Sequence, residues 1–137
     1  IMGRMILITG DLALLHDTNG WLFAKNSNIK LVVIMIDNGG GGIFNQLNID
    51  GIQEGDFEEI FIMRQRVCPL TLVKAYGIEY RQVSNLQDLK QAIEWSFSLS
   101  KSVLIRVCTN SLEDHKLRVS LREELKRTLP QDLLSFD

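Results

Sequence analysis

Asp11 and Asn38 are the two residues of this 137-residue chain whose types and setting could do chemistry together. Asp11 follows the apolar run MILITG, and Asn38 follows LVVIMID and opens onto four consecutive glycines, residues 39–42. A carboxylate and an amide oxygen are thus offered at two strand ends. The glycines let a main-chain carbonyl turn toward the same point while keeping side chains clear of a bulky ligand. Backbone N–H groups in the turn after Asp11 point at whatever lies above it, which suits an anion. Mg²⁺ takes about six oxygens and commonly completes its shell from phosphate and water. The pattern therefore points to a metal-bound diphosphate. A plainer reading stands beside it, because Gly-rich turns after strands are common and an Asp at a strand end can simply cap a helix. A dinucleotide fingerprint would need GxGxxG after the first strand, where only Gly10 is found, and no GK[ST] follows the glycines as a phosphate loop would require.

The elements that must position these residues alternate in hydrophobic period. MILITG and LVVIMID predict strands buried on both faces, with a helix between them over residues 12–25. That helix would carry Leu12, Leu15, Asn19, Leu22 and Phe23 at helical spacing, with Asp11 as N-cap. Further on, LTLVKAYG predicts a short helix stopped by Gly77, IEYRQV a strand and SVLIRVCT another. NLQDLKQAIEWSFSL predicts a helix capped by Asn85 with Leu86, Leu89, Ile93 and Phe97 on one stripe. The final helix opens on a Ser111-x-x-Asp114 pattern resembling a capping box. Such alternation predicts an α/β fold, a parallel sheet with helices on both faces. Residues 43–68 read as irregular, and so long a connection in a compact domain is more often functional than filler.

Composition narrows the classes. With 45% hydrophobic and 23% charged residues the chain can build a core, so an ordered domain is expected. A net charge of −2 without any basic tract argues against nucleic acid or anionic membrane as partner. Cys68 and Cys108 lack metal-ligand spacing and read as reduced thiols of a cytosol-like compartment. No apolar run is long enough to span a bilayer. The chain enters a strand almost at residue 1, which predicts that it is the C-terminal piece of something longer.

The pair GDLALLHDTNG and DNGGGGIF resembles the diphosphate-binding domain of thiamine-diphosphate enzymes. The signature of that family is Gly-Asp followed, a little under thirty residues later, by an Asn-rich strand end. Asp11 and Asn38 stand 27 residues apart. More narrowly, GDL followed by HDTNG, and the glycines followed by IF, resemble the synthases of menaquinone and phylloquinone biosynthesis within that family. The likeness is strongest over residues 7–44 and collinear to about residue 110. It implies that residues 1–137 form the C-terminal cofactor-binding domain of a longer enzyme, truncated at its N-terminus. It implies that Asp11, the Asn38 side chain and the Gly40 carbonyl hold Mg²⁺, or Mn²⁺ in its place, against the diphosphate of thiamine diphosphate. Gly10, Leu12, Ala13 and Gly41 complete the cofactor-binding set, Leu12 and Ala13 through backbone donors. Ile43 and Phe44 match an apolar pair that shapes the substrate pocket. Asp37 stands where the family has the first Asn of a pair, and Arg64 of FIMRQR stands where it has the proline of a Pro-Gln element.

The resemblance further implies a transferase that decarboxylates 2-oxoglutarate and joins the succinyl unit to isochorismate. The activating glutamate would come from a separate pyrimidine-binding domain of a partner subunit, so no catalytic residue is expected within residues 1–137 and these residues alone are expected to be inactive. A cytoplasmic homo-oligomer, dimer or tetramer, is implied. The metal motif is shared with other 2-oxoacid decarboxylases and acetolactate-synthase-like enzymes, and a non-catalytic α/β module kept for subunit association would retain the fold without the cofactor. Of the remaining polar residues, His16 beside Asp17 reads as structural, His115 as a solvated helix residue, and Trp21 and Trp95 as core or interface. The acidic run EGDFEE reads as facing water, and Arg64, Arg66 and Arg81 as candidates to meet an acidic substrate.

Overall fold

The structure, a computed structural model, describes residues 3–26, 28–47 and 51–128. Ile1, Met2 and Leu129, which the sequence reading assigned to the opening strand run and the last helix, lie outside the described residues. Four strands, β1 (Arg4–Gly10), β2 (Lys30–Asp37), β3 (Glu79–Val83) and β4 (Val103–Cys108), form one parallel sheet in the order β1-β2-β4-β3. The β-branched centres of β2 and β4 face two cores in alternation, as the two-residue strand period requires. Val33, Met35 and Leu104 meet Leu14, Trp21, Val73 and Ile78 on one face. Val32, Val103 and Ile105 meet Val83 and Ala92 on the other.

β1 departs from expectation. It was read as buried on both faces, but it is an edge strand with Ile6 51% and Ile8 68% exposed. A full burial of such side chains is worth about 1.5–3 kcal/mol each, so little of that is realised here. The helix expected over residues 12–25 is broken into α1 (Asp11–His16), a 3₁₀ turn at Thr18–Gly20 and α2 (Trp21–Asn26). The Thr18 hydroxyl donates back to the Leu14 and Leu15 carbonyls at 3.2 and 2.7 Å, which loosens the ladder just before Gly20. As a result Trp21 and Ala24 turn inward while Leu22 and Phe23 are exposed.

α4 (Pro69–Ala75) carries its proline in the first turn, where a missing N–H costs nothing. α5 (Leu86–Ser98) is capped as expected, the Asn85 side chain accepting from the Asp88 N–H at 2.8 Å. Of the stripe anticipated, Leu89 and Ile93 pack against the core as expected, whereas Leu86 and Phe97 are exposed and Ala92 and Ser96 take the buried centre. α6 (Ser111–Thr128) begins differently too, because Asn110 and not Ser111 supplies the cap, its Oδ1 accepting from the N–H groups of Leu112 and Glu113. The stretch expected to be irregular contains a 3₁₀ turn at Gly42–Gln46 and α3 (Glu54–Phe57), which widens into a π-helical turn over Glu58–Ile62. No helix among the described residues is long and apolar enough to cross a membrane.

Candidate functional site

The carboxyl ends of β1, β2 and β4 meet at one edge of the sheet, where ligands of parallel α/β folds bind. Gly10 takes the cap position of α1 with extended backbone, so Asp11 falls in the first turn rather than at the cap where the sequence placed it. The reason is that its carboxylate is used across the site. Oδ1 accepts from the Leu12 N–H at 2.9 Å and Oδ2 from the Gly40 N–H at 2.7 Å. Burial to 7% exposure raises the Asp11 carboxyl above its ordinary range, more than those two N–H donors lower it, and the neighbouring Asp37 raises it further.

Beyond Asn38 the glycines make a close approach that no other residue would permit. Gly40 has φ +131°, and a Cβ on it would stand 2.2 Å from the Ile62 carbonyl oxygen. The Gly41 N–H donates to that same carbonyl at 2.6 Å, so the π-helical turn is clamped onto the glycine run. A side chain at Gly42 would strike the Asn38 amide nitrogen at 2.6 Å and Ser111 Cβ at 2.9 Å. The Asn38 amide is thereby held in place, and its Oδ1 is buried without a hydrogen-bond partner among the described residues. A buried acceptor left unmatched is costly unless something else satisfies it. The Gly40 carbonyl accepts from the Gly42 N–H at 2.9 Å and keeps a second lone pair.

These donors suit a hard cation: one carboxylate, one unmatched amide oxygen and one main-chain carbonyl, with no soft ligand. Among the described residues no group of three or more His, Cys, Asp and Glu is placed to hold a metal. A cavity of about 290 Å³ opens on the Asn38 side, lined by Asp37, Asn38, Arg64, Arg106, Thr109 and Ser111, while Asp11 borders a separate one of about 110 Å³ with Asp37 and Arg106.

Of the other residues singled out from the sequence, Leu12 and Ala13 form the first turn of α1, with the Leu12 N–H already turned to Asp11. Ile43 is 65% exposed and borders a second cavity of about 90 Å³ with Asn38 and Gly42. Phe44 packs edge-on against Phe61, ring centroids 5.5 Å apart. His115 was read as solvated. It is half-buried on that second cavity, its Nδ1 lacking a hydrogen-bond partner among the described residues, because α6 lies along the 3₁₀ turn. His16 is exposed. Asp56 and Glu59 face water, while Glu58 pairs with Arg64 at 2.8 Å; Arg66 is exposed and Arg81 stacks over Trp95 at 4.6 Å.

Sequence reasoning overlooked Arg106. Its Nε and Nη2 both lie 2.6 Å from Asp37 Oδ2. The signal was present as a lone charge inside the otherwise apolar strand VLIRVC, which demanded a partner.

Comparison with known proteins places this geometry in context. The family model described as "Thiamine pyrophosphate enzyme, C-terminal TPP binding domain" matches residues 2–107. The 2-succinyl-5-enolpyruvyl-6-hydroxy-3-cyclohexene-1-carboxylate synthase of Prochlorococcus marinus (strain NATL1A) is 74% identical over 137 residues, all of this chain and 23% of that protein. The protein of the same name from Prochlorococcus marinus (strain MIT 9313) is 50% identical over 124 residues, covering 90% of this chain and 21% of its own length. The chain thus spans less than a quarter of these relatives. Among solved structures, the thiamine diphosphate-dependent 4-hydroxybenzoylformate decarboxylase of Rhodococcus jostii RHA1 superposes with a TM-score of 0.59 at 21% identity, over 78% of this chain and 20% of that one, a likeness of fold.

Proposed function

We propose a function from one premise: the chain belongs to the thiamine pyrophosphate enzyme family, as a C-terminal TPP binding domain. Residues 1–137 serve as the cofactor-anchoring domain of a 2-succinyl-5-enolpyruvyl-6-hydroxy-3-cyclohexene-1-carboxylate synthase (MenD), whose bearers elsewhere share up to 74% of these residues. The observation that carries the reading is the buried, unmatched Asn38 Oδ1 at the strand end next to the one that bears Asp11. An orphaned amide oxygen in a cradle closed to side chains is what a hard cation would satisfy.

Asp11, Asn38 Oδ1 and the Gly40 carbonyl would hold Mg²⁺ or Mn²⁺. Gly10 and Ala13 would line the diphosphate with backbone alone, whereas the N–H groups of Leu12 and Gly41 are committed to Asp11 and to the Ile62 carbonyl and would shape the turn instead. Thiamine diphosphate, when bound, supplies the electron sink that lets a 2-oxoacid lose CO₂ and its acyl remnant pass to an acceptor. Everything else here is positioning: Asp11 and Asn38 fix the anchor, the clamp of Ile62 onto Gly41 fixes the turn, and Ile43 and Phe44 present apolar surface that keeps water from the reacting end. The succinyl and cyclohexene-carboxylate parts of the relatives' product name correspond to 2-oxoglutarate and isochorismate as substrates. The acid–base group that activates the cofactor belongs to a pyrimidine-binding domain outside these residues, contributed by a partner subunit in a homo-oligomer. The free thiols of Cys68 and Cys108 suit the cytoplasm.

The test is a calorimetric titration of thiamine diphosphate into the full-length enzyme with and without Mg²⁺, repeated for Asp11→Ala and Asn38→Ala. Binding should require Mg²⁺ and weaken by on the order of a hundredfold or more in each variant, since losing even an outer partner of a metal ligand costs roughly 10–100-fold. Binding indifferent to Mg²⁺ and to both substitutions would overturn the anchor and favour the association module. Turnover of 2-oxoglutarate with isochorismate then separates this synthase from other 2-oxoacid decarboxylases.

A further inference from the structure

Arg106 is the fourth of the six residues of β4 and directly follows Val103, Leu104 and Ile105, all fully buried. A cation there must be matched. Its guanidinium is: Nε and Nη2 hold Asp37 Oδ2 at 2.6 Å, and Nη1 donates to Gln82 Oε1 at 3.0 Å. The other Asp37 oxygen, Oδ1, accepts from the Gly39 N–H at 3.1 Å. Asp37 thus faces a cationic guanidinium where the donors to Asp11 described above are neutral backbone N–H groups, and the Arg106–Asp37 pair is largely enclosed, with 24% and 10% of the two side chains exposed.

Without that arrangement Asp37 would be a problem for the site next door. It is the residue immediately before Asn38 and lines one cavity together with Asp11 and Arg106. A second free carboxylate would compete for any hard cation as an oxygen ligand, and its charge would repel a diphosphate. We propose that Arg106 is a positioning residue of the cofactor site: it holds the Asp37 carboxylate out of the metal's ligand set and weakens its charge, leaving Asp11, Asn38 and the glycine turn to receive the metal-bound diphosphate. This inference rests on the function proposed above. Arg suits the task because one planar fork engages Asp37 and Gln82 together, which a lysine could not do.

The experiment is a double-mutant cycle on the full-length enzyme, with Arg106→Gln, Asp37→Asn and the pair, read by Mg²⁺-dependent binding of thiamine diphosphate. Arg106→Gln should raise the cofactor Kd roughly tenfold, the equivalent of a coupling of ~1.4 kcal/mol. Asp37→Asn alone should leave it equal or tighter, and the double variant should return to within about threefold of Asp37→Asn. Direct titration of Mn²⁺ in the absence of cofactor, followed by its paramagnetic signal, should show tighter metal binding in Arg106→Gln and none of that gain in the double variant. A cofactor Kd unchanged in Arg106→Gln would overturn the inference. So would a loss that Asp37→Asn does not rescue, since Arg106 would then merely support the strand. Should the unmodified enzyme bind the cofactor without regard to Mg²⁺ or Asp11, the anchor itself fails and the inference goes with it; Mg²⁺-dependent binding that ignores Arg106 sinks the inference alone.

Discussion

Asp11 holds a carboxylate where water barely reaches, 7% exposed, and the N–H donors of Leu12 and Gly40 do not fully offset that burial. Its carboxyl therefore binds its proton more tightly in the folded chain than at the ordinary value of 3.8, with Asp37 adding to the effect. The sign follows from linkage. Between 3.8 and the higher folded-state value the folded chain carries the extra proton, so stability falls as pH rises. This contribution is fully present below 3.8 and lost as pH climbs through the folded-state value. Chemical denaturation of the metal-free protein, compared with Asp11→Asn at a series of pH values, should show the wild type losing ground to the variant over that window. A difference between the two that does not change with pH would refute the argument. The same imbalance explains why a cation is welcome: it stabilises the charged form that burial disfavours.

At the scale of elements, the site is built by a clamp. The π-helical turn Glu58–Ile62, ended by Met63 at φ 51°, presents the Ile62 carbonyl to Gly41 and leaves no room for a side chain at Gly40. Such turns are frequent at functional sites. Gly40→Ala should cost about 1–3 kcal/mol, seen as a lowered melting midpoint, because it both strains the backbone and pushes the clamp away. Gly55→Ala, where a Cβ would meet nothing within 4 Å, should stay within about 0.5 kcal/mol of the parent. Equal effects from the two substitutions would show that the clamp carries no weight. The four strands, and the position of Asp11 and Asn38 just beyond two of them, were legible because each rests on a local run of residues. The Arg106–Asp37 pair was not, since it joins residues 69 apart through the register of β2 on β4. Nor could Asn110 be told from Ser111 as the cap of α6, adjacent residues of equal capping preference. The π-helical turn was likewise hidden, as its EEIFI carries no turn signal of its own.

On the scale of the whole molecule, the sheet is asymmetric. β2 and β4 are covered on both faces, but β1 is an edge strand with Met5, Ile6, Leu7 and Ile8 each more than 40% exposed. An apolar run reads as buried whether or not anything covers it, which is why the sequence could not foresee this. A long apolar edge also offers unpaired N–H and C=O groups as a template for a further strand. For a chain of this length, light scattering should report an average mass that climbs with concentration, and Ile8→Lys, at a position 68% exposed, should flatten the climb. A mass independent of concentration in the parent would dispose of the idea. Colloidal behaviour, then, and not unfolding, would set the ceiling on how much of residues 1–137 on their own can be held in a test tube, and a single lysine on β1 is the simplest way to raise it.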